Sequence, residues 1–450
     1  MVGVLLAMAA VNLPELGSNP WPFRPGAVEA QGPLAPLVRA AGEEWDVGIA
    51  RTVALMVALL CGAAGLTLLR RQGRASESSW PAWAGVALVL VVGLLLLAPS
   101  TLLQVGLRDS TAPWFFTNDS VYQTELAGEL VLDGDMPYGH DYRGSGLERF
   151  YALDGSVSQR VLKREPVLDH LPYFPGVVYS GAAWSLLPDP FDDYRLLVLL
   201  CTLGMLGVAL TFRAPLEWRL AIAAFAVCNP IAVRSAWFGQ NDAPSLLLLM
   251  LAFAFVVRRQ AGWAGAALAG AVLLKQFAIV AVPFIALMLL KQRLPGGGLR
   301  RAALGFGGVL AAGLLPFLVL EPVALWEDTV EFMSSAYRIV GYGLSGMLVR
   351  AGLVEDRDSD YPFLPIALVT WLPLTVWLLV VQWRARELWV GAAGFSISVL
   401  VLLFLGRAFN NYYLVWPMMG AAVAVLIAAG ETALPAGTAS APARTGGRGP

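Results

Sequence analysis

Four groups of polar residues interrupt an otherwise apolar chain, and each carries a recognisable chemistry. Asp119 lies in Asn118-Asp119-Ser120, directly before a helical pattern, where a carboxylate held at a membrane edge can take a proton from a hydroxyl as a general base. The competing reading is a helix cap, because Asn-Asp-Ser ahead of a helix is an ordinary start signal. The segment from Phe238 to Asp242 places Gln240, Asn241 and Asp242 between two apolar runs, where amides and a carboxylate are costly unless they face a cavity or each other. Lys275 follows Leu274 inside an apolar hairpin; a lysine there must neutralise, extend to the surface, or pair with an anion such as phosphate. The segment Gly406 to Tyr413 offers Arg407 for two-pronged phosphate binding, the amide of Asn411, and the phenols of Tyr412 and Tyr413 for interface anchoring or ring stacking.

The elements that must position these groups are set by the solvent. With 57% hydrophobic residues, 14% charged residues and a mean hydropathy of +0.65, the chain is too apolar for water, and several runs approach the roughly 20 residues that cross a bilayer. The sequence therefore predicts an all-α polytopic membrane protein of roughly 11–13 transmembrane helices, with a long outer loop carrying short amphipathic helices. Candidate spans are Val47 to Leu69, Ala82 to Leu103, Leu171 to Leu187, Tyr194 to Phe212, Arg219 to Trp237, Ser245 to Val257, Trp263 to Lys275, Phe277 to Leu290, Ala302 to Leu320, Phe363 to Trp383, Leu388 to Leu405 and Tyr412 to Ala429. Residues 1–46 read as an outer or interfacial segment, 47–81 as a span with a cytoplasmic loop, 82–430 as the main domain with residues 104–170 as its outer loop, and 431–450 as a disordered cytoplasmic tail.

Basic clusters at Arg70 to Arg74, Arg213 to Arg219, Arg258-Arg259, Lys291 to Arg301 and Arg384 to Arg386 mark the cytoplasmic side by the positive-inside rule. Every polar group named above then falls on the outer side. One conflict remains, because three apolar runs separate the Asp119 loop from the Gln240 loop and an odd number of crossings would part them. Leu171 to Leu187, entered through Pro172, Pro175 and Gly176, is the expected short or re-entrant piece, since irregular backbone survives at membrane depth only beside protein or a water-filled cavity.

A net charge of −1 without a basic patch gives no reason to expect a nucleic-acid partner. Cys61, Cys201 and Cys228 all lie in apolar runs without paired spacing, and the only histidines are His140 and His170, so neither a disulfide framework nor a histidine-rich metal site is expected. Asp133-Gly134-Asp135 has a spacing that can ligate a divalent ion, but beside Pro137-Tyr138 it reads as a turn; no cofactor is expected.

Taken in order, Asp119 and Tyr122, then Gly134, Pro137 and Tyr138, then Tyr173 to Gly176, Gly239 to Asn241, Leu274-Lys275 and Asn411 to Tyr413 resemble the GT-C superfamily of integral-membrane glycosyltransferases. The nearest branch is glycosyltransferase family 87, the polyprenol-phosphate-mannose-dependent mannosyltransferases of bacterial envelopes, and the resemblance covers Ala82 to Ala429. It implies a polyprenyl-phosphate sugar donor, a glycolipid or polysaccharide acceptor, and a site on the outer face of the plasma membrane. By the same resemblance Asp119 is the general base, Lys275 and Arg407 bind the donor phosphate, and Tyr122, Tyr138, His170, Gln240, Asn241, Asp242, Asn411 and Tyr412 contact substrate.

The chain departs from the compact family pattern in the Val47 to Leu69 span and in an insertion, Gly144 to Asp169, holding Arg149, Arg160, Lys163 and Arg164. The insertion is expected to shape an acceptor site, and it leaves His170 and Asp169 as second candidates for the active-site wall. The rival class is a lipid-linked-sugar flippase or multi-pass transporter, which also uses broken helices, but no internal repeat relates the two halves of the chain.

Overall fold

Helix-forming alanine and leucine dominate the apolar runs, and a bilayer leaves backbone polar groups no partner but their own helix, so the chain folds almost wholly into helices. The computed structural model describes residues 29–44, 82–152 and 165–433, with isolated positions between 56 and 63 and between 157 and 163. The Val47 to Leu69 span falls almost entirely outside the described residues, as do the segment before residue 29 and the tail after 433.

In chain order the α-helices are α1 (Ala35–Glu44), α2 (Ala82–Asp109), α3 (Asp119–Asp133), α4 (Pro175–Trp184), α5 (Arg195–Leu210), α6 (Leu216–Cys228), α7 (Pro230–Phe238), α8 (Ala243–Val257) and α9 (Ala261–Leu274). They continue as α10 (Ala281–Lys291), α11 (Gly298–Leu320), α12 (Pro322–Trp326), α13 (Leu344–Arg350), α14 (Phe363–Val369), α15 (Trp371–Arg384), α16 (Trp389–Leu405) and α17 (Val415–Ala433). Two-residue strands β1 (Val340–Gly341) and β2 (Ala408–Phe409) pair in parallel and tie the loop before α13 to the loop after α16.

Among the described residues, four helices are long and apolar enough to cross a membrane: Trp83–Asp109, Gly298–Leu320, Phe363–Arg384 and Asn411–Ala433. Five shorter apolar helices accompany them, and α6 and α7, bent by 45° at their junction, are together long and apolar enough to cross as a broken span or to fold back as a re-entrant pair. This is an all-α, multi-pass membrane protein. Lipid takes the outside of the bundle: only 11% of the Gly298–Leu320 window is buried, against 56% for Asn411–Ala433. The bend has a local cause in Asn229-Pro230, where the Asn229 side chain accepts from Ala232 N–H at 2.8 Å and proline fills the first helical position.

The conflict over sidedness resolves at α4. Its 10 residues extend only about 15 Å, half of the roughly 30 Å hydrocarbon core, so it cannot cross. The Asp119 and Gln240 loops accordingly meet at one end of the bundle, where Ser120 Oγ donates to the Gly239 carbonyl at 3.2 Å. The basic clusters among the described residues join one another elsewhere: Arg258 donates to the Thr211 carbonyl at 3.1 Å, Arg259 to that of Gln292 at 3.3 Å, and Lys291 to that of Gln382 at 2.7 Å.

α4 instead supports α3. Gly128 of α3 and Gly181 of α4 let the backbones touch, since a Cβ on Gly128 would sit 2.4 Å from Ala182 N and one on Gly181 2.4 Å from the Thr124 carbonyl oxygen. A buried ion network fixes the start of α3 from below. Arg108 holds Glu125 at 2.6 Å and Asp193 at 3.0 Å, and Asp193 holds Arg195 at 2.6 Å. Arg195, fully buried, also donates to the carbonyls of Phe116, Trp237 and Gln104, which joins α2, the approach to α3 and the end of α7.

Candidate functional site

Asp119 owes its freedom to its neighbour. Asn118 is the cap, its Oδ1 accepting from Ser120 N–H at 3.0 Å and Ser120 Oγ at 2.6 Å, so Asp119 becomes the first residue of α3 and its carboxylate turns inward. One oxygen accepts the Ser120 N–H at 2.8 Å and the other the Tyr151 hydroxyl at 3.1 Å. Burial pushes this carboxyl above the usual range, and the two hydrogen bonds and the charge of Lys275 only partly offset it.

The facing wall is the turn from α7 to α8. Gly239, in the left-handed region with φ +88°, allows a turn so tight that a Cβ would lie 2.8 Å from the Arg195 side chain. Gln240 accepts from Ser235 Oγ at 2.5 Å, and Asn241 donates to Thr124 Oγ1 on α3 at 3.3 Å. Asp242 accepts the Trp416 indole N–H at 2.9 Å. Lys275 occupies the break where α9 ends and the chain restarts as a 3₁₀ turn, Gln276–Val280. Its ammonium donates to Asn241 Oδ1 at 2.7 Å, lies 3.8 Å from Asp242 and sits 4.6 Å above the Tyr173 ring.

These parts enclose a chamber of about 490 Å³ lined by Asn118, Asp119, Tyr151, Glu165, Arg234, Gln240, Tyr337, Arg338, Arg357, Asn410, Asn411 and Tyr412, among others. A recess of about 60 Å³, lined by Asn241, Asp242, Lys275, Gln123 and Tyr173, shares Asp119, Tyr151, Tyr337 and Tyr412 with the chamber wall. A hydroxyl entering the chamber therefore meets the carboxylate of Asp119 at the mouth of the recess, while Arg234, Arg338 and Arg357 line the chamber wall, Arg338 paired with Asp358 at 3.1 Å.

Of the residues singled out from sequence, Asp119, Gln240, Asn411 and Tyr412 line the chamber, and Asn241, Asp242 and Lys275 line the recess. Four others are not among the lining residues. Arg407 is buried and spends its guanidinium on the carbonyls of Tyr337 at 2.5 Å and Ser359 at 3.0 Å, which fixes the loop behind the chamber. Tyr122 donates to the Ser145 carbonyl at 2.5 Å. Tyr138 packs edge-on against Phe317 and donates to the Tyr173 carbonyl at 2.9 Å. His170 Nδ1 lies 2.7 Å from Asp328, and its ring stacks on Phe332. Asp133 and Asp135 are exposed at the far end of α3, roughly 20 Å along the helix from Asp119. Within the insertion, Arg149 sits over the Trp114 ring at 5.3 Å, while Arg160 and Arg164 lie outside the described residues. Asp169 pairs with Arg143 at 2.7 Å.

The chamber also contains residues outside the motifs named from sequence. Arg234 had a signal, being a guanidinium inside the apolar run Arg219 to Trp237. Arg338 and Arg357 had none beyond their place in a polar loop, and Tyr151 is one of two adjacent aromatics, Phe150 and Tyr151, in the insertion, with nothing local to tell them apart.

A family model described as Glycosyltransferase family 87 matches residues 173–406, just over half of the chain. No curated protein and no solved structure matches it. The chain belongs to glycosyltransferase family 87 and is a membrane glycosyltransferase. The matched segment includes the Gln240 turn and Lys275 but begins after Asp119 and Tyr151, so the case for those two residues rests on geometry.

Proposed function

We propose that this family 87 glycosyltransferase moves a sugar, mannose by its resemblance, from a polyprenyl-phosphate carrier to a glycolipid or polysaccharide acceptor at the outer face of a bacterial plasma membrane, with Asp119 as general base. The observation that carries this reading is the half-buried carboxylate of Asp119 opening into a chamber whose wall also bears Arg234, Arg338 and Arg357.

The chemistry needs only these two features. The acceptor hydroxyl gives its proton to Asp119 as its oxygen bonds to the sugar's anomeric carbon; the carbon–oxygen bond to the carrier breaks and its electron pair leaves with the polyprenyl phosphate. Attack opposite the leaving group inverts the anomeric configuration. Charge builds on the departing phosphate, where guanidinium groups already in place stabilise it without reorganisation. The donor phosphate therefore belongs beside the chamber arginines. Lys275 lies in the adjoining recess, where Asn241 and Asp242 already engage its ammonium, and Arg407 serves the backbone behind. Because a phosphate leaves readily when cations surround it, the scheme calls for no divalent ion. Gln240, Asn411 and Tyr412 remain the groups available to the sugar.

The test is transfer from synthetic polyprenyl-phosphate mannose to a membrane glycolipid extract by the purified protein in liposomes. Asp119→Asn should fold normally and lose transfer by a factor of about 10²–10⁴. Undiminished transfer would remove Asp119 from the reaction. Movement of the intact donor across the bilayer without cleavage would identify a flippase instead.

A further inference from the structure

Asp119 is met by a side chain from the inserted part of the outer loop, and the helix that carries Asp119 also grips that loop. Tyr151 ends the 3₁₀ turn Leu147–Tyr151. From α3, Tyr122 donates to the Ser145 carbonyl at 2.5 Å and packs its ring against Phe150 at 5.7 Å. Glu148 accepts from Gly146 N–H at 3.1 Å, Leu147 is fully buried, and Arg149 lies over Trp114. Gly146, at φ +99°, leaves no room for a Cβ, which would fall 2.6 Å from Trp114 and 3.0 Å from the Tyr122 hydroxyl. The circuit runs from Asp119 to Tyr122 one helical turn on, through the loop, and back to Asp119 through the Tyr151 hydroxyl at 3.1 Å.

We infer that Tyr151 is a positioning residue for Asp119: its hydroxyl orients one carboxylate oxygen and favours the ionised form, leaving that oxygen's second lone pair for the acceptor proton. The inference rests on Asp119 being the base. A buried carboxylate with no close cation tends to hold its proton and so fail as a base at neutral pH. The groups around Asp119 are Lys275 from the α9 break, Glu165 from the outer loop, and the phenols of Tyr151, Tyr173, Tyr337 and Tyr412. Of the phenols, Tyr151 alone has a hydrogen bond to the carboxylate among the described residues. Burial, with the charge of Asp119, raises the Tyr151 phenol well above its ordinary value, so it stays a donor across the working range.

The test needs no substrate. Carbodiimide labels protonated carboxyls, and peptide mass spectrometry follows the modification of Asp119 against pH in the full-length protein in lipid nanodiscs. In Tyr151→Phe the labelling midpoint should rise by roughly half to one pH unit, the shift expected from losing one hydrogen bond to a carboxylate, and the acid limb of the transfer rate should rise with it. Tyr122→Phe, which frees the Ser145 carbonyl but leaves the Tyr151 hydroxyl in place, should move the midpoint the same way by less. A midpoint that stays or falls in Tyr151→Phe, with its melting temperature within a few degrees of the parent's, overturns the inference and leaves the base assignment standing. Undiminished transfer in Asp119→Asn overturns the base assignment and leaves the labelling result intact.

Discussion

Two clusters of charge meet α3 at different faces, one through Asp119 and one through Glu125, and they behave in opposite ways. In the network of Arg108, Glu125, Asp193 and Arg195, two guanidiniums face two carboxylates at 2.6–3.0 Å, and the remaining donors of Arg195 go to backbone carbonyls. In the chamber cluster, Asp119 has a phenol and a backbone N–H but no cation at contact distance among the described residues, while the ammonium of Lys275 lies 3.8 Å from Asp242. The carboxyls register the difference. Burial opposes ionisation of Asp193, yet Arg195 and Arg108 hold it below the usual carboxylate range; burial raises Asp119 and nothing nearby reverses it. Pairing quenches a charge into a structural tie, whereas a charge left half-paired beside a cavity keeps its capacity to react.

Asp119→Asn sharpens the contrast most. Besides the loss of transfer, it should leave stability unchanged or raised at neutral pH. The sign follows from the raised carboxyl: its stabilising contribution is complete below the unfolded pKa of about 4 and is lost as pH rises through the higher folded value. The melting temperature of the variant relative to the parent should therefore climb from mildly acid to neutral pH, and a fall would mean that Asp119 is itself a structural tie.

Arg195→Met should do the reverse, costing about 3–5 kcal/mol of stability by leaving buried Asp193 with Arg108 as its one cation among the described residues and three carbonyls without their donor. Thermal unfolding in detergent reads it, and a drop under about 1 kcal/mol would break the comparison. Replacing Arg234 by Gln should leave folding intact and raise the KM for the lipid-linked donor about tenfold or more, as expected for one charge-assisted contact to phosphate. An unchanged KM would move the phosphate elsewhere in the chamber. Least of all, Tyr138→Phe should cost about 1 kcal/mol through its bond to the Tyr173 carbonyl, with transfer unaffected; a large loss of transfer would return Tyr138 to the site.

Legibility in the sequence followed the range of the cause. Asn118 capping α3 and Asn229-Pro230 breaking an apolar run are local signals, each legible within a few residues. Lys275 and the Gln240 turn stood out because a polar group in an apolar run is costly wherever it ends up. Arg407 stood out for the same reason, but the same cost can be met by a ligand or by backbone carbonyls, and here the carbonyls of Tyr337 and Ser359 meet it.

By itself, the sequence determined the solvent, the helical class and the polar positions Asp119, Gln240, Lys275 and Tyr412 that interrupt or flank apolar runs, because hydropathy and helix signals act over a few turns of chain. Only the tertiary structure decided that α4 falls short of crossing, that Arg234, Arg338 and Arg357 share a chamber with Asp119, and that Tyr151 reaches the carboxylate. Those outcomes depend on contacts between residues tens to hundreds of positions apart, whose partners no local pattern names.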